Sequence, residues 1–211
     1  MCIRDSASGD RHTVATAAGN TTEAPIVVHC TSALARDLDP SGFLTRTVFP
    51  FRGQILATDP LEETLLGQLG TADYAMSSNF CYEYFRIHDR RFVLGGMRWS
   101  VAGEEQGILD DSTVHPEVSA NLLGYVRKHF PALAEVEFPH AWTGIMAGTD
   151  DGLPLCGALP GQQGVFALLA FNGYGLSFAV AAGETLSEQV LEGRATNPAA
   201  ALLAPRRFRD R

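Results

Sequence analysis

Lysine is almost missing from this sequence: Lys128 is the only one among 16 basic residues, set against 24 acidic ones for a formal net charge of −8. A surface that grips nucleic-acid phosphates needs clustered Lys and Arg, so this balance argues against a nucleic-acid partner. Schiff-base and lysine-nucleophile chemistry are equally short of candidates. Cysteine is sparse too. Cys2, Cys30, Cys81 and Cys156 stand far apart without CxxC spacing, which argues against a secreted disulfide scaffold and fits a reducing, cytoplasmic setting. No apolar run reaches the roughly 18 residues of a membrane span, and the start has no apolar signal core. His12, His29, His88, His115, His129 and His140 show neither HxH nor HExxH spacing, so packing or solvated roles suit them better than metal ligation.

What is present suits a folded core. The 211 residues are 45% hydrophobic and 19% charged, enough for one large or two small globular units. The opening Met1 to Ser6 does not read as the beginning of a domain, and residues 1–8 are set aside as a non-native leader. Thr13 to Thr16 and Ile26 to Cys30 are β-branched stretches that suit a ribbon running into a buried strand. Thr47 to Thr58 is β-rich but interrupted by Pro50, which predicts an edge strand or one that starts after the proline. Leu61 to Leu69 suits a short helix.

Tyr82 to Gly96 reads as a hairpin with Asp89 at its turn. Between His115 and Phe130, Val118, Leu122, Leu123, Val126 and Phe130 recur at helical spacing after Pro116, which predicts an amphipathic helix. A second helix is expected from about Gly175 to Leu191, closed by Gly193, and the tail after Pro198 is expected to fray.

Two stretches carry the chemistry. From Val165 to Ala170 a hydrophobic strand runs into Asn172, Gly173, Tyr174 and Gly175, then into the last helix. Glycines there admit a ligand to the backbone, and the unpaired amides of a helix start favour phosphate or an electron-rich ring edge. The same junction also suits a tight connection with no ligand. Upstream, Thr149 to Gly152 reads as a type I turn more readily than as a catalytic acid pair.

Together, Trp142 to Gly157 and Gly164 to Ala179 resemble the paired patterns WxGxRPxTxDGxPxIG and GxNGHGxxxA of FAD-dependent oxidoreductases of the D-amino-acid oxidase family. Ala24 to Ala33 is similar to the last strand of that family's flavin domain. Pro50 to Gln54 is similar to its PxRGQ strand, and Arg91 to Gly96 to a hairpin strand of its substrate domain. The resemblance runs in order from about residue 12 to 193. It implies an α+β or α/β fold: a mixed-sheet substrate domain over about 47–138, and the remainder of a Rossmann-like FAD-binding domain over 9–46 and 139–193, with 194–211 as a tail. No GxGxxG follows a first strand, so the dinucleotide clamp is absent from this stretch, and the chain alone is expected to be inactive.

The resemblance further implies non-covalent FAD. Gly144, Asn172, Gly173, Tyr174, Gly175 and Leu176 are the cofactor-contacting candidates, since the flavin-linking cysteine of some relatives falls at Gly144. Tyr84, Arg98 and Met146 are candidates for the substrate pocket. Arg52 is a further candidate, although a salt bridge or cross-strand packing suits it, Tyr84 and Arg98 better. No catalytic side chain is assigned, because hydride transfer needs no protein nucleophile. Trp142 is expected to pack beneath the site.

Three departures narrow the substrate. Met146 stands where amino-acid-oxidising relatives place the carboxylate-gripping arginine, with Ala147 for the proline; Ser177 and Val93 fall where sarcosine oxidases carry lysines. The implied substrate is a small-molecule amine without a carboxylate beside the reacting carbon, as in the γ-glutamylputrescine oxidase branch, and the implied acceptor is oxygen or another oxidant. The alternative reading is a non-catalytic, flavoprotein-like binding or assembly subunit.

Overall fold

The computed structural model describes residues 3–8, 11–70, 76–78 and 83–209. In chain order the elements are β1 (Ile3–Ser8), β2 (Arg11–Thr16), β3 (Thr21–Ala24), β4 (Val27–His29), α1 (Phe43–Thr47), β5 (Phe49–Ala57), α2 (Glu63–Leu69) and β6 (Met76–Ser78). There follow β7 (Glu83–His88), β8 (Arg91–Gly96), α3 (Pro116–His129), β9 (His140–Gly148), β10 (Leu155–Ala158), β11 (Val165–Leu169), α4 (Gly175–Glu192) and α5 (Ala200–Leu203). The fold is mixed α/β. The chain divides into two compact units, one of Met1–Pro50 with Met146–Arg211, the other Phe51–Ile145. Cys2, Cys81 and Tyr82 lie outside the described residues.

In the first unit, β4 pairs parallel to β11, which pairs antiparallel to β10. A parallel pair needs a crossover connection, and here the chain between the partners is long enough to pass through the whole second unit. Gly164 sits where the two strands begin. Its φ is +75°, and a Cβ there would lie 2.5 Å from the Pro25 carbonyl oxygen, so only glycine is tolerated. β4 was expected to be buried, yet Val28 is 39% exposed, because β4 is the edge of the described sheet. Residues 3–8, set aside in the sequence reading, form β1 and pair along their length with β2.

The second unit is built on a five-stranded sheet of order β6-β7-β8-β5-β9. Asp89 and Arg90 connect β7 to β8 with φ of 48° and 62°, the positive pair that a two-residue hairpin turn requires. Alternation then sorts the side chains. Phe92, Leu94 and Leu56 face one side and pack with Val118, Leu122 and Val126 of α3, with Phe85, Ile87 and Phe130 closing around them. The Phe92 and Phe130 rings meet edge to face at 4.8 Å.

β5 corrects the expectation drawn from Pro50. The strand begins at Phe49 and lies inside the sheet between β8 and β9, and its pairing with β8 runs from Ile55 to Ala57, well beyond the proline.

The tail also departs from expectation. Instead of fraying, it folds back on the first unit: Leu203, Pro205 and Phe208 are buried, and the Arg207 guanidinium donates to Asp151 at 2.7 and 3.2 Å and to the Leu153 carbonyl at 2.7 Å. Asp151 also accepts from the Thr149 hydroxyl and the Leu153 amide, so Thr149 to Gly152 is a braced turn and not an acid pair. Burial alone would push the Asp151 carboxyl up; Arg207, the Leu153 amide and the Thr149 hydroxyl outweigh it and bring the pKa from 3.8 down to about 2. A depressed carboxyl stabilises the fold above its unfolded pKa and loses that contribution as pH falls through the folded value. Thermal melts of Asp151→Asn should therefore lie below the parent at neutral pH by the equivalent of about 1–3 kcal/mol. The gap should close between pH 4 and 2, whereas a pH-independent gap would show that the pair contributes nothing through ionisation.

Candidate functional site

Between β11 and α4 the backbone makes a sharp turn. Ala170 and Asn172 have φ of 61° and 54°, and Gly173 has 88°. Left-handed conformation is strained for alanine and tolerated by asparagine, so the turn is held by something stronger than local preference. That hold is Asn172. Its side-chain Oδ1 accepts from the Thr149 amide at 3.0 Å, its Nδ2 donates to the Ala170 carbonyl at 2.8 Å, and its own amide donates to the Ala147 carbonyl at 3.0 Å. The end of β9 and the start of α4 are thereby fixed to each other. Gly148 lets them approach: a Cβ there would meet Asn172 Oδ1 at 2.7 Å and the Phe49 ring at 2.8 Å.

The turn leaves backbone donors unused. Ser177 and Phe178 are the first amides to bond back into α4, both to the Tyr174 carbonyl, while those of Gly173, Gly175 and Leu176 have no acceptor among the described residues. The positive end of an 18-residue helix stands behind them. Leu176 is fully exposed, and Phe178 and Val180 are exposed as well, so the first half of α4 presents apolar side chains around the open amides. A Cβ on Gly173 would have as its nearest neighbour the Met146 sulfur, at 3.9 Å. The combination accepts a flat, partly apolar group with an electron-rich edge.

The other candidates fall as follows. Gly144 lies in β9 on the second unit, and nothing stands within 4 Å of where its Cβ would be. The Tyr84 ring packs across Gly95, so closely that there is no room for a Cβ there, and burial pushes the Tyr84 phenol pKa up. Arg98 lies over the Phe51 ring at 4.7 Å and pairs with Glu104 at 3.3 Å. Arg52 is buried in a 2.6 Å ion pair with Glu105 and donates to the Asp110 and Thr113 carbonyls, while its neighbour Gln54 holds Ser119 and the His115 amide. Arg52 and Gln54 thus fasten the segment before α3 to the sheet, and Arg52 is not available to a substrate. Trp142, expected beneath the site, stands 46% exposed on the second unit. Sequence reasoning missed Thr149, whose amide and hydroxyl tie the turn to Asn172 and Asp151; the Thr-x-Asp-Gly order was the available signal. Among the described residues no group of acidic, histidine and cysteine side chains is arranged to hold a metal, and no helix is long and apolar enough to cross a membrane.

A strand, a glycine turn and a helix with open amides together suit a group with an electron-rich edge, as a flavin has. The family model for FAD dependent oxidoreductases matches residues 3–189, and the chain belongs to that family. It is 28% identical over 177 residues to the γ-glutamylputrescine oxidoreductase of Escherichia coli strain K12, covering 83% of this chain and 38% of that protein. To the hydrogen cyanide synthase subunit HcnC of Pseudomonas protegens it is 32% identical over 117 residues, covering 56% and 24%. Among solved structures it superposes on the L-proline dehydrogenase of P. horikoshii with a TM-score of 0.80 at 22% identity, and on the glycine oxidase of Geobacillus kaustophilus with 0.73 at 20%. It covers 99% and 97% of this chain, against 54% and 51% of theirs. The chain spans a quarter to two-fifths of the curated relatives it matches.

The residues present fit the ring edge of FAD: three unpaired amides, a helix dipole and an open apolar surround. The geometry rests on Asn172, which gives a direct test. Asn172→Gly keeps the positive φ and loses both side-chain bonds, and should lower the unfolding free energy in urea by about 1–3 kcal/mol. Asn172→Ala should lose more, by the added strain of alanine at that φ. Equal stability of all three would show that the side chain holds nothing.

Proposed function

We propose that the protein to which this chain belongs oxidises an amine whose reacting carbon carries no carboxylate. The observation that carries this reading is Met146. Its sulfur lies 3.9 Å from where a Cβ on Gly173 would stand, at the position where the family's amino-acid oxidases have an arginine. A thioether offers no N–H fork to a carboxylate, so a glycine-like substrate would lose its main anchor there. An uncharged alkyl segment would instead find an apolar wall.

FAD, when bound, supplies an acceptor for the hydride leaving the carbon beside the substrate nitrogen, and the resulting imine is hydrolysed by water. The chain's own part is binding and electrostatic. The Gly173, Gly175 and Leu176 amides would hold the electron-rich edge of the ring, and the α4 dipole would favour negative charge there. Asn172 keeps those amides aimed by holding the turn. Gly144 offers no thiol, so cofactor attachment through this position is non-covalent. The similarity to a γ-glutamylputrescine oxidoreductase, over most of this chain, supports an amine at the end of an alkyl chain. The acceptor that reoxidises the flavin is either oxygen or another oxidant, and a cytoplasmic location accords with the sparse cysteines.

A second reading has one observation in its favour. The similar HcnC protein is named as a subunit, and the exposed apolar start of α4 would suit assembly with another chain. One experiment separates the two. The protein purified with FAD is followed by anaerobic absorbance while γ-glutamylputrescine, simple alkyl amines and glycine are added in turn. Bleaching by an amine and not by glycine is expected, with Met146→Arg raising the response to glycine at least tenfold, in line with one charge-assisted bidentate pair. Equal bleaching by glycine in the parent would overturn the Met146 argument; absence of any bound flavin would leave the assembly reading.

A further inference from the structure

The bonds of Asn172 do not end at the turn. Its Oδ1 accepts from the Thr149 amide at 3.0 Å, and the hydroxyl of this buried threonine points at two acceptors, the Leu153 carbonyl at 2.6 Å and Asp151 Oδ1 at 2.9 Å. A hydroxyl carries one proton and satisfies one acceptor at a time. Arg207 holds both of them. Its guanidinium donates to the Leu153 carbonyl at 2.7 Å and to the two Asp151 oxygens at 2.7 and 3.2 Å, so whichever acceptor takes the Thr149 proton is itself fixed from the tail.

Arg207 is set in place in its turn. Its remaining nitrogen donates to the Leu203 carbonyl at 2.7 Å, and its guanidinium lies over the Phe208 ring at 4.6 Å. The Arg207 side chain is 15% exposed and that of Asp151 30%, so the pair is shielded from much of the water that weakens surface ion pairs. A bidentate arginine–carboxylate pair fixes orientation as well as distance. Local chain preference accounts for none of these bonds, since Arg207 stands 56 positions from Asp151 and Asn172 stands 23 from Thr149. All of them lie within the first compact unit.

We infer that Arg207 is a positioning residue for the flavin edge: through Asp151 and Thr149 it keeps Asn172 in the orientation that aims the Gly173, Gly175 and Leu176 amides together. This role rests on the flavin reading of the turn and adds the tail of the chain to it. Arg207 acts at one remove, on how well the donors are aligned before charge arrives. Aligned amides at a helix start favour the reduced, more negative flavin over the oxidised ring, so loosening them lowers the flavin's midpoint potential. A clamp that served the fold alone would change stability and leave the potential where it was.

The protein purified with FAD is equilibrated anaerobically with a redox dye to read the flavin potential, and amide hydrogen exchange is followed in parallel. Arg207→Gln should cost the reduced flavin roughly threefold in preference, a fall of about 14 mV for a two-electron couple. Exchange of the Thr149 and Asn172 amides should rise by roughly threefold or more. Arg207→Lys keeps the charge without the fork, and should fall between parent and Arg207→Gln in both readouts. Leu203→Ala loosens the same tail by removing a buried side chain from its packing with Cys156, Ala182 and Leu186; it should lower the melting temperature and leave potential and exchange at the turn as in the parent. A potential unchanged in Arg207→Gln, or moved as far by Leu203→Ala, overturns the role of Arg207 while the flavin reading stands. If Arg207→Gln does not fold, Arg207→Lys decides, and a potential equal to the parent's overturns the role. A parent that holds no flavin overturns the flavin reading and this role with it.

Discussion

The candidate flavin site depends on a single side chain that never needs to touch a ligand. Asn172 joins the Thr149 amide, the Ala147 carbonyl and the Ala170 carbonyl around a turn that local preference would not hold. Without it, Ala170 at a φ of 61° would relax, and the amides at the start of α4 would lose their common aim. Unpaired buried amides are costly, and amides left open at a helix start are useful only if they point one way. In the proposed function, this turn is what makes an ordinary feature of every helix start into a binding edge.

A second constraint governs the other unit. Arg52 and Glu105, both buried, form a pair at 2.6 Å that by itself is weak evidence of stability, since burying two charges costs as much as their attraction returns. The pair is not alone. The Asp110 and Thr113 carbonyls take further donors of Arg52, and Gln54 holds the amide at the start of α3. Glu105 itself sits at a φ of 57°, after Glu104 at 50°. A strained segment held by a satisfied buried charge network reads as specification of one loop conformation, which in turn sets where α3 begins.

What the sequence makes legible follows from the range of the forces involved. The Asp89–Arg90 hairpin, α3 and α4 are set by turn chemistry and by short periodicity, and each was readable from a dozen or so neighbours. The tail, Arg52 and Trp142 were not. Arg207 meets Asp151 from 56 positions away, and Arg52 meets Glu105 from 53, and nothing near either arginine in sequence announces its partner. Pro50 misled because a proline weakens a strand only where its missing N–H would have been paired, and here the pairing with β8 begins further along. The glycines and Asn172 were singled out by their order between a strand and a helix and by the family resemblance. That the side chain of Asn172 is spent on the turn itself was not legible.

The same distinction separates what is easy to say of this chain from what is hard. The proposed recognition of a ring edge by the α4 amides is backbone chemistry: it needs glycines and a positive-φ turn, and such chemistry leaves a short pattern in the sequence. Selection among amines is side-chain chemistry, decided by single positions that can change without disturbing the pattern. Met146 is the position proposed for this role, its sulfur 3.9 Å from where a Cβ on Gly173 would stand. Alternation fixes which face a residue takes, so the core side of β7 tells the fold. A chain at 20–30% identity to its relatives can therefore keep the first reading intact while the second is rewritten.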